Sequence, residues 1–188
     1  MARKKKVELH TLLFICRLAN NLRPQKELTV CEWAEENMIL PEGSNAAGKF
    51  KVENMPHQKE IMEAITDPRI VNVTVMSSSQ VGKTTILLCG IGYYIDHEPA
   101  TQLVVLPTLA TGERFSKTRL AKMIKDVKSL RGKVAPPKTK DSGNTILFKE
   151  FAGGHVVIAG ANSPASLSEM PIRVVWMDEV DRYPADSG

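Results

Sequence analysis

The run Ile70-Val71-Asn72-Val73-Thr74-Val75-Met76, followed at once by Ser77-Ser78-Ser79-Gln80-Val81-Gly82-Lys83-Thr84, confines this chain to few folds. The β-branched run predicts a core strand, and Gly-Lys-Thr opens a helix through Thr85-Ile86-Leu87-Leu88-Cys89. A tight loop between a strand and a helix directs backbone N–H groups and the positive end of the helix at one point, which suits an anion. Ser78, Ser79, Gln80, Val81, Gly82, Lys83, Thr84 and Thr85 are therefore the candidate nucleotide-binding residues. Lys83 would reach the β- and γ-phosphates, and the Thr84 hydroxyl would hold a magnesium ion. The usual motif begins with Gly, where this chain has Ser77.

A second motif supplies the acids. Arg173-Val174-Val175-Trp176-Met177-Asp178-Glu179 is a short apolar run ending in two carboxylates, the pattern of a buried parallel strand. Ligands of open α/β sheets bind beyond the carboxyl ends of the strands, so Asp178 is expected on the same sheet edge as the loop. Asp178 is the candidate metal-binding acid, because Mg²⁺ takes oxygen ligands and keeps much of its water. Glu179 is the candidate catalytic residue that polarises an attacking water, with Lys83 stabilising the phosphoryl charge. ATP and Mg²⁺ are the implied ligands.

Composition narrows the class. With 43% hydrophobic and 24% charged residues in 188, the chain has the make-up of one globular core, and no apolar run reaches membrane-spanning length. The basic start, Met1 to Lys6, precedes an apolar stretch interrupted by Glu8, His10 and Arg17, which argues against a signal peptide. No CxxC or His spacing supports zinc, and three Cys give no disulfide framework. The net charge of +4 is unevenly spread. Arg114, Lys117, Lys122, Lys125 and Lys128 share one face of a predicted helix over 113–133, with Leu120, Met123, Val127 and Leu130 opposite. Such a cationic face is either a solvated surface or a contact for DNA or another polyanionic partner.

Along the chain, helices are expected over 7–20, from the Thr29 cap to Asn37, over 56–65 and over 83–95. Strands are expected at 70–76, 102–108 and up to Asp178, with an antiparallel hairpin pairing 145–149 and 155–159 around Ala152-Gly153-Gly154. This order predicts an α/β fold of the P-loop NTPase (ASCE/RecA-like) type, a parallel sheet flanked by helices on both faces. Residues 1–50 read as a helical N-terminal extension and 51–188 as a partial ATPase domain, since a sheet of this kind normally continues with more strands. The expectation is an apparently truncated, amino-terminal portion of a larger protein.

Taken in order, Glu32-Trp33-Ala34, Pro56-x-Gln58, Ser79 to Thr84, Leu106-Pro107-Thr108, Gly160-Ala161-Asn162-Ser163 with Ser166-Leu167, and Asp178 to Pro184 resemble the ATPase half of the large terminase subunit of lambda-like tailed phages and prophages. The resemblance covers roughly residues 30–187. It implies an ATP-driven motor that moves double-stranded DNA into a procapsid in the host cytoplasm, without a membrane. Implied partners are a small terminase subunit, the portal and further copies of the motor. It matches Lys83 and Thr84 to phosphate and magnesium, Asp178 to the metal and Glu179 to catalysis. It also sets Gln58 where a glutamine contacts adenine, although Gln58 could equally be a surface residue in a first helical turn. Many terminases carry an Arg inside the loop, which Ser78, Ser79 and Gln80 do not supply; Arg114, Arg182 or a neighbouring subunit are the alternatives. The family's nuclease activity is not expected of residues 1–188, and ATP hydrolysis is expected to be weak or nil. Alternative readings are a helicase-like DNA-dependent ATPase, since the Gln58 and Pro107 motifs also resemble helicase motifs, and an inactive prophage remnant that only binds nucleotide or partner subunits.

Overall fold

A computed structural model describes residues 11–15, 26–42, 47–134, 144–162 and 170–185. Its centre is helix α3 (Lys83–Asp96), which follows α1 (Val30–Asn37), the two-residue strands β1 (Ile39–Leu40) and β2 (Gly48–Lys49), and α2 (Lys59–Thr66). Then come β3 (Gln102–Leu106), α4 (Leu109–Phe115), α5 (Ala121–Asp126), β4 (Phe148–Phe151), β5 (Gly154–Gly160) and β6 (Val174–Met177). The expected helix over 7–20 falls largely outside the described residues, of which 11–15 are helical.

The main sheet has the order β4-β5-β3-β6. Both neighbours of β3 run parallel to it, with Val104 opposite Ile158 on one side and Trp176 on the other. β4 and β5 form the expected antiparallel hairpin, closed by Ala152 and Gly153, with Phe151 opposite Gly154. Every residue of β3 is buried. A strand enclosed on both faces needs apolar side chains on both, which explains the unbroken run Leu103-Val104-Val105-Leu106.

Period-two alternation divides those side chains. Val104, Leu106, Val156, Ile158 and Trp176 face the large core with α1, α3, Phe115, Leu120 and Met123. Leu103, Val105 and Ala159 face a small cluster completed by Val157, Ala161, Ile172 and Tyr183. The expected helices on both faces are therefore not found: among the described residues, the helices pack on one face. The reason lies in the return from β5 across β3 to β6. Its described parts, Ala161 and Ile172, cover the second face with irregular chain, and 163–169 are outside the described residues.

Helix α3 is buried on nearly all sides from Ile86 to Ile95, so it needs two close approaches. A Cβ on Gly90 would overlap the Trp176 ring, and one on Gly92 would overlap the Trp33 ring. One glycine thus seats α3 on the sheet and the other seats α1 on α3. Gln102, fully buried, ties the same elements by hydrogen bonds: its Oε1 accepts from Trp176 Nε1 at 2.9 Å and its Nε2 donates to the Ile91 carbonyl at 3.4 Å. α1 begins at the predicted capping box, Thr29 N–H donating to Glu32 at 2.8 Å and Glu32 N–H to Thr29 Oγ1 at 3.2 Å. It is anchored by Trp33 Nε1 donating to Asp96 Oδ2 at 2.7 Å, while Lys133 pairs with the other oxygen of that carboxylate.

Two further expectations are corrected. Residues 70–76 form no strand: the segment is irregular and exposed, with Val71 at 94% and Met76 at 97% of full accessibility. A strand requires a ladder partner for its N–H and C=O groups, and among the described residues none pairs with 70–76. The single basic helix over 113–133 is instead α4, a π-helical turn over Ser116–Leu120, α5 and a 3₁₀ turn over Lys128–Leu130. Its sidedness survives. Leu120, Met123, Val127 and Leu130 are buried, while Arg114, Lys117, Lys122, Lys125 and Lys128 are exposed.

Candidate active site

The loop 77–82 leads into α3 through two residues in the left-handed region, Gln80 at φ 60° and Gly82 at φ 85°. For Gly that conformation costs little, whereas for Gln it is disfavoured, and such residues concentrate at ligand sites. Gly82 is the N-cap of α3, and no side chain caps the helix there. With glycine at the N-cap, the first turn of this 14-residue helix has no capping side chain among the described residues and turns its N-terminal pole to the loop, as an anion site requires. Lys83 folds back over the loop, its Nζ donating to the carbonyls of Ser77 at 2.9 Å and Ser78 at 3.1 Å. An ammonium held by two carbonyls inside such a loop occupies the space into which a phosphate would bring negative charge. Ser78, Ser79 and Gln80 are exposed, and Val81 through Thr85 are half-buried.

The acids arrive from the sheet. Asp178 follows β6, and its N–H continues the pairing to Val105 O at 3.2 Å. Its Oδ2 accepts from Thr84 Oγ1 at 3.4 Å, joining residues 94 positions apart in sequence. Its Oδ1 accepts from the Glu179 N–H at 3.0 Å. The chain then turns sharply, with Glu179 itself in the left-handed region at φ 54°. That turn ends the strand and sends the exposed Glu179 side chain to Arg182, whose Nη1 lies 3.1 Å from its Oε2. Tyr183 fastens the turn from behind by donating its hydroxyl to Val105 O at 2.8 Å. Burial, followed by the nearby Asp178 charge, pushes the Tyr183 hydroxyl up to about 12, so it remains a donor across the ordinary pH range.

The Thr84–Asp178 approach is set by packing at a distance. Gly90 admits Trp176 two residues before Asp178, and Gln102 bonds Trp176 and Ile91 together, so α3 and β6 keep one spacing. A hydroxyl and a carboxylate at that spacing are hard oxygen donors that fit Mg²⁺. Among the described residues no three His, Cys, Asp or Glu side chains cluster as a metal site. A cation held by Thr84 and Asp178 would thus draw its remaining ligands from phosphate oxygens and water, the usual habit of Mg²⁺.

Not every expected residue meets the loop in the anticipated way. Gln58 is fully buried, and its Nε2 donates to the carbonyl of Val81 at 3.0 Å. His57, which none of the motifs above specifies, has its Nε2 3.0 Å from the same carbonyl. Its place beside Gln58 directly after Pro56 is the available signal. The five basic residues of 114–128 stand on the exposed side of α4, the π-helical turn, α5 and the 3₁₀ turn at Lys128. Of these, Lys117 pairs with Glu113 at 3.0 Å. Of the two candidate arginines, Arg182 reaches Glu179, while Arg114 is on α4.

A family model for the ATPase domain of the phage terminase large subunit gpA matches residues 44–188. The chain belongs to that family. Among similar terminase sequences, the large subunit of Escherichia phage lambda is 31% identical over 170 residues, covering 90% of this chain and 26% of the relative. The large subunit of Enterobacteria phage P21 is 29% identical over 161 residues, covering 85% of this chain and 25% of the relative. The chain thus spans about a quarter of the length of each of these relatives. No solved structure gives a significant match. Among the described residues, no helix is long and apolar enough to cross a membrane.

Proposed function

We propose that the loop 77–85 and Asp178-Glu179 bind Mg·ATP and hydrolyse it, and that in a terminase large subunit this hydrolysis drives double-stranded DNA into a procapsid. One observation carries the proposal: the Thr84 hydroxyl and the Asp178 carboxylate lie 3.4 Å apart at the uncapped end of α3. Phosphoryl transfer needs little covalent chemistry from a protein and depends on positioning and charge.

Lys83 leaves the Ser77 and Ser78 carbonyls for the β- and γ-phosphates, exchanging neutral acceptors for anionic ones. Thr84 and Asp178 would hold a magnesium ion, which when bound would supply positive charge against the phosphates. Glu179 orients the attacking water and takes up its proton. For this its carboxylate must part from Arg182, an exposed pair of the kind worth only about 0–1 kcal/mol. Arg182, once released, is beside the site and is our candidate for the arginine that the loop lacks. The exposed Arg114, Lys117, Lys122, Lys125 and Lys128 support a DNA-facing role for that surface, since phosphate contacts from Arg and Lys dominate affinity for duplexes. A small subunit, the portal and further motor copies are the partners this reading carries.

Lys83→Ala tests the loop: Mg·ATP affinity measured by calorimetry should fall by at least about tenfold, and unchanged affinity would remove the assignment. Stimulation of hydrolysis by duplex DNA supports packaging, whereas stimulation confined to single strands points to an unwinding ATPase instead.

A further inference from the structure

Resting on the nucleotide-site reading, the geometry points to Gln58 and His57 as positioning residues that hold the phosphate loop open for an anion by clamping the Val81 carbonyl. In a loop that binds phosphate, the N–H groups leading into the helix must turn inward and the carbonyls among them away, whereas the earlier Ser77 and Ser78 carbonyls face the Lys83 ammonium. Val81 lies between Gln80 and Gly82, both left-handed, and its carbonyl takes two side-chain donors at once: Gln58 Nε2 and the ring Nε2 of His57, each at 3.0 Å. A carbonyl oxygen has two lone pairs, so both are used and the group is fixed outward.

Both donors come from one short element, the 3₁₀ turn Pro56–Gln58, which runs straight into α2. The clamp is therefore mounted on α2, whose Met62 is wholly buried. Contact is tight enough that a Cβ on Gly82 would overlap Gln58 Nε2. The amide orientation follows from the acceptor it faces, since the reversed amide would set Oε1 against the Val81 oxygen. The remaining Nε2 hydrogen points to Met55 Sδ at 3.3 Å, and Oε1 is buried with no partner among the described residues. A glutamine that reads adenine would act on the base alone; a clamp acts on the phosphates whatever base is attached.

Inorganic tripolyphosphate, which has no base, separates the two. Gln58→Met and Gln58→Glu keep the side-chain volume and remove the donor. Each should weaken Mg²⁺-dependent binding of tripolyphosphate, ATP and GTP in the same proportion, about 3- to 10-fold, the equivalent of one buried hydrogen bond. His57→Ala, at an exposed position, should weaken all three by about 2- to 3-fold and serves as the test where the Gln58 variants fail to fold. Unchanged tripolyphosphate affinity with lost preference for ATP over GTP would overturn the clamp in favour of base reading. A lowered Tm with all three affinities unchanged would reduce it to packing. Lys83→Ala run alongside tells the two readings apart: if it leaves tripolyphosphate binding intact, the site assignment itself fails rather than the clamp.

Discussion

Strand β3 and the segment 70–76 are both short, largely apolar runs with opposite fates. Gln102-Leu103-Val104-Val105-Leu106 is wholly buried between two parallel neighbours, whereas Ile70 to Met76 is exposed and unpaired among the described residues. β-Propensity measures how well a side chain suits a pleated, half-buried surface, and only β3 is given one. The two halves of the site inherit this difference. Asp178 is held by a strand whose spacing is locked by Trp176, Gln102 and Gly90. The loop that carries Lys83 is held from its far side, by α3 and by the clamp from 57–58.

Substitutions can break or sharpen that contrast. The largest effect is expected at Trp176, on the locked side. Trp176→Ala should destabilise the chain by about 3–5 kcal/mol in urea unfolding, and should weaken Mg·ATP binding although it touches no nucleotide. Unaltered stability would mean that the indole does not set the α3–β6 spacing. Glu179→Gln should leave nucleotide affinity within about twofold and reduce single-turnover hydrolysis, which registers slow rates, by about 10²–10⁴-fold, roughly 3–5 kcal/mol of barrier. Equal rates would exclude Glu179 from catalysis.

A matched pair compares the two segments directly. Val104→Thr buries a hydroxyl and should cost about 1–3 kcal/mol, whereas Val75→Thr makes the same change on the exposed run and should stay within about 0.5 kcal/mol. Equal costs would show that 70–76 is buried after all. A smaller effect concerns acid. Burial alone would raise the Asp96 pKa, but hydrogen bonds from Lys133 and Trp33 outweigh it and hold the carboxyl below its ordinary value. A depressed folded-state pKa means that this stabilisation is present above the ordinary carboxylate range and is lost as pH falls through the folded value. The urea midpoint followed by Trp fluorescence should therefore fall as pH drops from about 5 through and below the ordinary carboxylate range, and by less in Asp96→Asn.

Much of this was legible from the residues. The hairpin, the Thr29 capping box, β3 and the sidedness of 113–133 all came from period and capping chemistry, which are local. β6 is the expected parallel strand but not a buried one: it lies at the sheet edge among the described residues, and Val175 and Met177 are exposed. The position of 70–76 was not legible, because its pattern states what the segment would do with a partner, and pairing is settled by distant chain. The one-sided helix layer escaped for a related reason: handedness rules say where a crossover passes and not whether it is helical. The π-helical turn at 116–120 interrupts a helix without changing which side chains face inward, so the hydrophobic pattern could not reveal it. At the site, the proximity of Thr84 and Asp178 was expected from sheet polarity. The outward carbonyl of Val81 was not, since no residue type advertises the direction of a backbone oxygen.

The central claim is that the loop and the acid act on one metal-bound triphosphate, and a double-mutant cycle on Thr84→Ala and Asp178→Asn tests it most directly. Read out as ATP affinity, the two changes should couple by about 0.5–3 kcal/mol with Mg²⁺ present, and the coupling should vanish when Mg²⁺ is withheld. Losses that simply add, with or without the metal, would contradict it.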